Sequence, residues 1–248
     1  MQSLVKCELL KLKRQKVIPI SILITFIPII LGLFNFKANY SVFDEMQVTD
    51  WLKAWNQVGM FYAPIIFPII ASVYCAIIFR VEYSNKNFKI MLSTPTPRKS
   101  IYKSKVIVSA LMLLLLQFIF GIAYFIFGKL FGITDPYPIG NMINLLLMGW
   151  IGVLPLVSIQ TYLSLKHEEF TKPIMIASIC SLGGFFIGAI SFIKYLWPWA
   201  IQRIAMDPGN VTGIQGFMPR MGYIIYCLVF TWILVRMGIK KFEKMEIK

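Results

Sequence analysis

The sequence predicts an all-α, polytopic membrane protein with six transmembrane helices and both termini on the cytoplasmic side. Three observations predict it. Apolar residues make up 58% of the 248 and charged residues only 15%, against about half and a quarter for a soluble domain. The mean hydropathy is +0.71. The charges lie in short islands between six long uncharged runs. A bilayer core takes about 20 apolar residues in a helix, and the six runs meet or approach that length: residues 17–36, 61–79, 106–127, 142–165, 174–193 and 221–235. The last is the shortest, and needs flanking residues or a thinned bilayer to cross. None of the 36 charged residues falls inside a run, consistent with a cost of about 2.5–3.5 kcal/mol per charge at the bilayer centre. The chain reads as one domain, residues 1–248, with no linker or low-complexity stretch.

Orientation follows from where the cations lie. Of the 25 Lys and Arg, 19 fall in residues 1–16, 80–105, 166–173 and 236–248, and 6 in the alternate set 37–60, 128–141 and 194–220. The positive-inside bias puts the first set in the cytoplasm. The formal charge of +14 does not indicate nucleic acid as a partner, because the cations form no polar basic face.

Residues 1–16 form an amphipathic helix. Val5, Leu9 and Leu12 recur at helical spacing, with Lys6, Lys13 and Lys16 largely off that stripe. Such a helix is suited to the inner leaflet, and its charges equally serve to orient the first span. The basic-then-apolar start resembles a signal peptide, but the apolar run is too long and no A-x-A site follows, so the helix is expected to be retained. Pro19, Pro28, Pro64, Pro68 and Pro155 punctuate the spans; neighbouring helices can satisfy the freed carbonyls, and the kinks serve packing or movement.

The longest and most basic inner loop runs from Arg80 to Lys105. Ser84 or Asn85 can cap a short helix there. Phe88, Met91 and Leu92 share one face of it, Lys86 and Lys89 point elsewhere, and Pro95 and Pro97 end it. An apolar face with no core beneath it calls for a partner, either the membrane surface or another protein.

The order Glu82, Asn85-Lys86-x-Phe88-Lys89-x-x-Leu92, Ser93-Thr94-Pro95, Arg98, Lys105 resembles the first cytoplasmic loop of ABC-2 type transporter permeases. That loop carries a Glu, a G-T-x-K-x-L-L helix, a Pro-x-x-R and a Lys before the third span. Asn85-Lys86 departs from the common Gly-Thr. The six spans, inside termini and basic start fit the same family. Glu8-x-x-Lys11-x-Lys13-Arg14, the modest size, the stretch Tyr195-Leu196-Trp197-Pro198-Trp199 and the lack of a large outer domain resemble, more narrowly, permeases of lantibiotic self-protection and bacitracin resistance.

The resemblance implies a transporter subunit, not an enzyme. A separate ABC ATPase would carry ATP and Mg, with no cofactor in this chain. A coupling helix would seat in a groove of that ATPase, with Glu82, Asn85, Lys86, Phe88, Lys89, Met91 and Leu92 as its residues. A second permease subunit, identical or paralogous, would complete the path through the cell membrane, and the expected cargo is an amphiphilic peptide antibiotic. Another exported amphiphile (lipid, polymer or drug) is the alternative within the family.

Two further features are expected to matter. In the fifth span Ala177, Ser181, Gly184 and Gly188 share a face, suited to close helix packing within the chain or at a subunit interface. Trp51, Trp55, Trp197 and Trp199 lie in outer loops. Aromatics collect at membrane interfaces, and these four are expected either there or as an apolar surface at an outer mouth, where the family has short re-entrant helices.

Several chemistries are disfavoured. No G-x-x-x-x-G-K-[ST] loop occurs, so the usual P-loop hydrolysis of ATP is absent. Cys7, Cys75, Cys180 and Cys227 make no C-x-x-C pair, and neither a disulfide framework nor a metal site is expected. Glu168-Glu169 resembles the E-E-x-x-x-R start of prenyl-type membrane proteases, but position 173 is Pro and His167 is the only histidine. The polar residues within spans (Asn35, Gln117, Ser158, Gln160 and Thr161) include no ionisable carboxylate or cation, which disfavours a proton- or ion-coupled pump. A stand-alone channel or secondary transporter would leave the Phe88, Met91, Leu92 face idle.

Overall fold

The computed structural model describes residues 1–13, 15–43, 47–84, 91, 95–187, 197–207 and 217–245. Among these there is no strand. The elements are α1 (Gln2–Lys13), α2 (Val17–Ala38), α3 (Tyr40–Phe43), α4 (Asp50–Phe61), a π-helical turn (Tyr62–Ile66), α5 (Phe67–Tyr83), α6 (Arg98–Leu130), α7 (Ile139–Lys166), α8 (Thr171–Ile187), α9 (Ile201–Ala205) and α10 (Phe217–Glu243).

Among the described residues, five helices are long and apolar enough to cross a membrane: Val17–Ala38, Asp50–Tyr83, Arg98–Leu130, Ile139–Lys166 and Pro219–Glu243. The expected fifth span coincides with α8, an apolar helix of 17 residues; positions 188–193 lie outside the described residues. The helices overrun the uncharged runs. The run 61–79 sits inside a 34-residue helix, because the backbone hydrogen-bond ladder continues past Asp50, Lys53 and Glu82 at its ends. The short run 221–235 belongs to a helix of 27 residues. At 1.5 Å per residue that is about 40 Å, enough for a hydrocarbon core of about 30 Å.

The prolines are accommodated locally. Pro19 is in the first turn of α2, where its missing N–H costs nothing, while Pro28 and Pro155 lie inside α2 and α7. Around Pro64 the helix widens into the π turn, and the Phe67 N–H donates to the Tyr62 carbonyl five residues back.

Lys16 adopts a left-handed backbone, φ 53°, at the joint between α1 and α2. Beyond that joint α1 packs on α6, α5 and α2. Leu12 is buried, and Val5 and Leu9 are packed on the same core. The stripe expected to lie on lipid is therefore covered by protein, while Lys6, Lys13 and Lys16 remain exposed.

The outward faces of the spans are apolar: Leu23, Ile27 and Phe34 on α2, and Ile225, Leu228 and Trp232 on α10, are all exposed. Such faces suit lipid or another membrane helix. Inside, small residues set the spacing. A Cβ at Gly32 of α2 would fall 2.5 Å from the backbone N and Cα of Val58 on α4, so only glycine permits this crossing. Gly32→Val is expected to cost about 1–3 kcal/mol or more. Gly140→Ala, where a Cβ meets nothing within 4 Å, should leave stability unchanged. Thermal unfolding of both variants in detergent checks the contrast; equal midpoints would contradict the crossing.

Candidate functional site

The bundle end that carries α1 holds four charges in one buried node. The first half comes from α1. Glu8 falls three residues after Val5 and four before Leu12, on the buried side of the helix, and is 5% exposed. Lys11 sits one turn on. The second half comes from the two helices flanking residues 84–97: Glu82 is the penultimate residue of α5, and Lys105 lies in the second turn of α6.

Lys105 Nζ donates to Glu82 Oε1 at 2.9 Å and to Glu8 Oε1 at 3.0 Å. Lys11 Nζ donates to the same two oxygens, at 2.6 Å and 3.2 Å. Two ammoniums and two carboxylates thus close a neutral four-membered network across α1, α5 and α6. The Lys105 side chain is 1% exposed, Glu82 4%, Glu8 6% and Lys11 37%. Phe79, one turn before Glu82, places its ring 5.3 Å from the Lys105 ammonium. Charges this deep persist only when paired, since an isolated one costs several kcal/mol to desolvate.

Burial alone would lower the Lys11 pKa, but the hydrogen bond to Glu82 and the charges of Glu8 and Glu82 outweigh it and raise it above the ordinary lysine value. Its contribution is therefore complete at neutral pH and is lost only as pH climbs through that raised value.

Two more ties meet at this end. The Tyr83 hydroxyl donates to the Leu165 carbonyl at 2.7 Å, joining the end of α5 to the end of α7. Arg98, the first residue of α6, donates to the carbonyls of Glu243 and Met245 at 2.9 Å and 2.7 Å. Glu243 is the last residue of α10, where a helix leaves its last carbonyls without intrahelical partners, and Met245 lies two residues beyond it. Both flanks of the 84–97 loop are thus fastened, one to α1 and α7, the other to α1 and α10. Among the described residues, no group of three or more His, Cys, Asp or Glu is placed to hold a metal ion. The arrangement can carry displacement of the loop into four helices at once.

Of the residues expected to act in coupling, Glu82 is in the node, and Met91 is half-buried against the core. Asn85, Lys86, Phe88, Lys89 and Leu92 lie outside the described residues. On α8, Ala177, Ser181 and Gly184 are buried within the chain. A Cβ on Gly184 would come within 3.1 Å of Trp197. Gly188 lies outside the described residues.

The four tryptophans, expected at a membrane interface or as an apolar surface at an outer mouth, are largely enclosed within the chain. Trp51 and Trp55 are fully buried and Trp199 is 7% exposed; Trp197 is half-buried. Trp51 donates to the Asp135 carbonyl at 2.9 Å and packs on Tyr124, Phe125 and Tyr137. Trp55 donates to the Met206 carbonyl at 2.7 Å, and Trp197 to the Cys180 carbonyl at 3.0 Å. Three of the indoles, Trp51, Trp55 and Trp197, find a polar partner inside the chain, where ring area is worth more buried than wet; the buried Trp199 Nε1 has none among the described residues.

The polar residues inside spans mostly bond within the bundle. Asn35 donates to Gln57 at 2.7 Å, Gln117 accepts from the Tyr62 hydroxyl at 2.9 Å, and Ser158 and Thr161 bond back along α7. Gln160 is buried with no hydrogen-bond partner among the described residues. Glu169 pairs with Lys172 at 2.8 Å on an exposed surface.

Residues 4–184 match the family model described as ABC-2 family transporter protein. The match takes in α1, the whole node and both flanks of the loop, and stops before α9 and α10. No curated protein matches the chain.

Proposed function

The chain belongs to the ABC-2 family of transporter proteins, a multi-pass membrane permease of an ABC transporter, and from that premise we propose that it is driven through the 84–97 loop by a separate ATPase subunit. The observation that carries this reading is the buried Glu8, Lys11, Glu82, Lys105 network, which fastens the loop's flanks to the bundle. Packed and ion-paired helix ends move together. A push on residues 85–92 then reaches α1 and α5 through the node, α7 through Tyr83 and α10 through Arg98.

The coupling residues are Glu82, Asn85, Lys86, Phe88, Lys89, Met91 and Leu92. Phe88 and Leu92 enter the ATPase groove, and Glu82 anchors the segment. ATP and Mg reside on the ATPase. A second permease subunit, identical or paralogous, completes the path; the exposed apolar ridge of α8, with Met175, Ile179, Leu182 and Phe186, suits such a subunit or lipid. The cargo is an amphiphilic peptide antibiotic, expelled in the manner of lantibiotic self-protection. This choice rests on the resemblance of the segments Glu8–Arg14 and Tyr195–Trp199.

Both termini and the loop face the cytoplasm. A tag inserted beside Asp207 is expected to label from outside intact cells, and one after Lys248 only after permeabilisation. The reverse pattern would overturn this orientation. For cargo, cells expressing the chain with its ATPase should survive a lantibiotic that kills cells expressing either alone. Equal killing of all three would remove the peptide reading.

A further inference from the structure

The last span carries a cation that the chain does not pair. The uncharged run of α10 lies between Arg220 and Arg236. Along a helix those two Cα atoms are about 24 Å apart, against about 30 Å for the hydrocarbon core. Both arginines therefore cannot stand clear of the acyl region. Arg236 does not reach away from it. Its guanidinium lies over the Trp232 ring, 4.0 Å from the centroid, one turn nearer the bilayer centre. Among the described residues its five N–H donors meet no hydrogen-bond acceptor and no carboxylate. A cation taken out of water persists only with a counter-charge.

The surroundings of Arg236 narrow what supplies that charge. Ile225, Val229 and Trp232 share its side of α10 at helical spacing, and all three are exposed. Their helix is the least enclosed of the five long spans, with 22% of its apolar window buried. Lys240, one turn beyond Arg236, is exposed on the same side. The one carboxylate of α10, Glu243, lies about 10 Å from Arg236 along the axis, on the side away from the bilayer, and the exposed Lys244 follows it. An apolar stripe thus runs into two cations at the depth where the acyl region gives way to phosphate.

We propose that the C-terminal end of α10 binds an anionic phospholipid. The phosphate sits between Arg236 and Lys240, where the guanidinium fork matches its oxygens, and an acyl chain lies along Trp232, Val229 and Ile225. A zwitterionic head matches less well, because its ammonium meets Lys240. A second copy of the chain is disfavoured on this face, since a two-fold axis along the membrane normal sets Arg236 against Arg236. The site lies beyond residue 184, where the family match ends, and it stands whether or not an ATPase grips the 84–97 loop.

The test is titration of the delipidated, full-length chain in detergent, read by native mass spectrometry, with dioleoyl phosphatidylglycerol, dioleoyl phosphatidylcholine and inorganic phosphate as probes. The first equivalent of phosphatidylglycerol is expected to bind about tenfold more tightly than either other probe. Each basic residue beside an anionic head is worth about fivefold in affinity, so Arg236→Gln and Lys240→Gln should each weaken that equivalent by about this factor. Lys13→Gln, which removes an exposed cation from α1, should leave it unchanged. Both α10 side chains are exposed, and Lys240→Gln keeps the Arg236 contact with Trp232, so it reports on the site even if Arg236→Gln fails to fold. Equal binding of phosphatidylcholine would reduce the site to a greasy surface, and equal binding of phosphate to a free-anion site. Wild-type affinity in Lys240→Gln and in a folded Arg236→Gln, or an equal loss in Lys13→Gln, would show that total charge alone attracts the lipid. Any of these results overturns the proposal.

Discussion

Replacing Lys105 with Met is expected to destabilise the protein by about 3–5 kcal/mol, the range for removing one partner from a buried ion pair. Lys105 is 1% exposed and touches both carboxylates, at 2.9 Å and 3.0 Å. Without it, Glu8 and Glu82 share only Lys11, and a buried negative charge goes uncompensated. The loss should be partly recovered by Glu8→Gln in the same chain, because that change restores charge balance. Lys172→Met is the matched control. Its pair with Glu169 is 2.8 Å long but 53% and 65% exposed, and such pairs contribute about 1 kcal/mol or less. Denaturant unfolding of the four proteins in detergent gives the comparison. If Lys105→Met and Lys172→Met unfold alike, the node is not what holds the loop flanks.

Phe88→Asp and Leu92→Asp are expected to fail differently. The chain should insert and fold normally but lose its ATPase on co-purification. Burying one large apolar side chain contributes about 1.5–3 kcal/mol, so its loss from a groove weakens binding roughly ten- to a hundredfold, and a buried carboxylate adds to that. The argument for these two residues comes from their helical spacing with Met91. Wild-type recovery of the ATPase with both variants would place the contact elsewhere on the inner surface.

Five of the six expected spans were legible because bilayer thickness imposes a length on apolar runs that no single contact can override. Their ends were less so: Asp50, Lys53 and Glu82 lie beyond the apolar run, yet the helix continues through them. The node was half legible. Glu8-x-x-Lys11, Glu82 and Lys105 each stood out in the sequence, and Glu8 sits within the apolar stripe of α1. That the four meet depends on the left-handed turn at Lys16 and on α1 folding back against α6, which spacing does not encode. The partners of the tryptophans were illegible for a related reason. An indole with a reachable carbonyl is buried as readily as it sits at an interface, and Asp135 and Met206, the partners of Trp51 and Trp55, lie 84 and 151 residues away in sequence.

The central claim is that nucleotide hydrolysis by a separate subunit reaches the bundle through the 84–97 loop. Reconstituting the purified chain in vesicles, with and without its ATPase, and following release of a fluorescent amphiphilic peptide tests this most directly. Movement is expected only when both the ATPase and ATP are present, and is expected to vanish with Leu92→Asp. Movement by the chain alone, at the same rate with or without ATP, would contradict it.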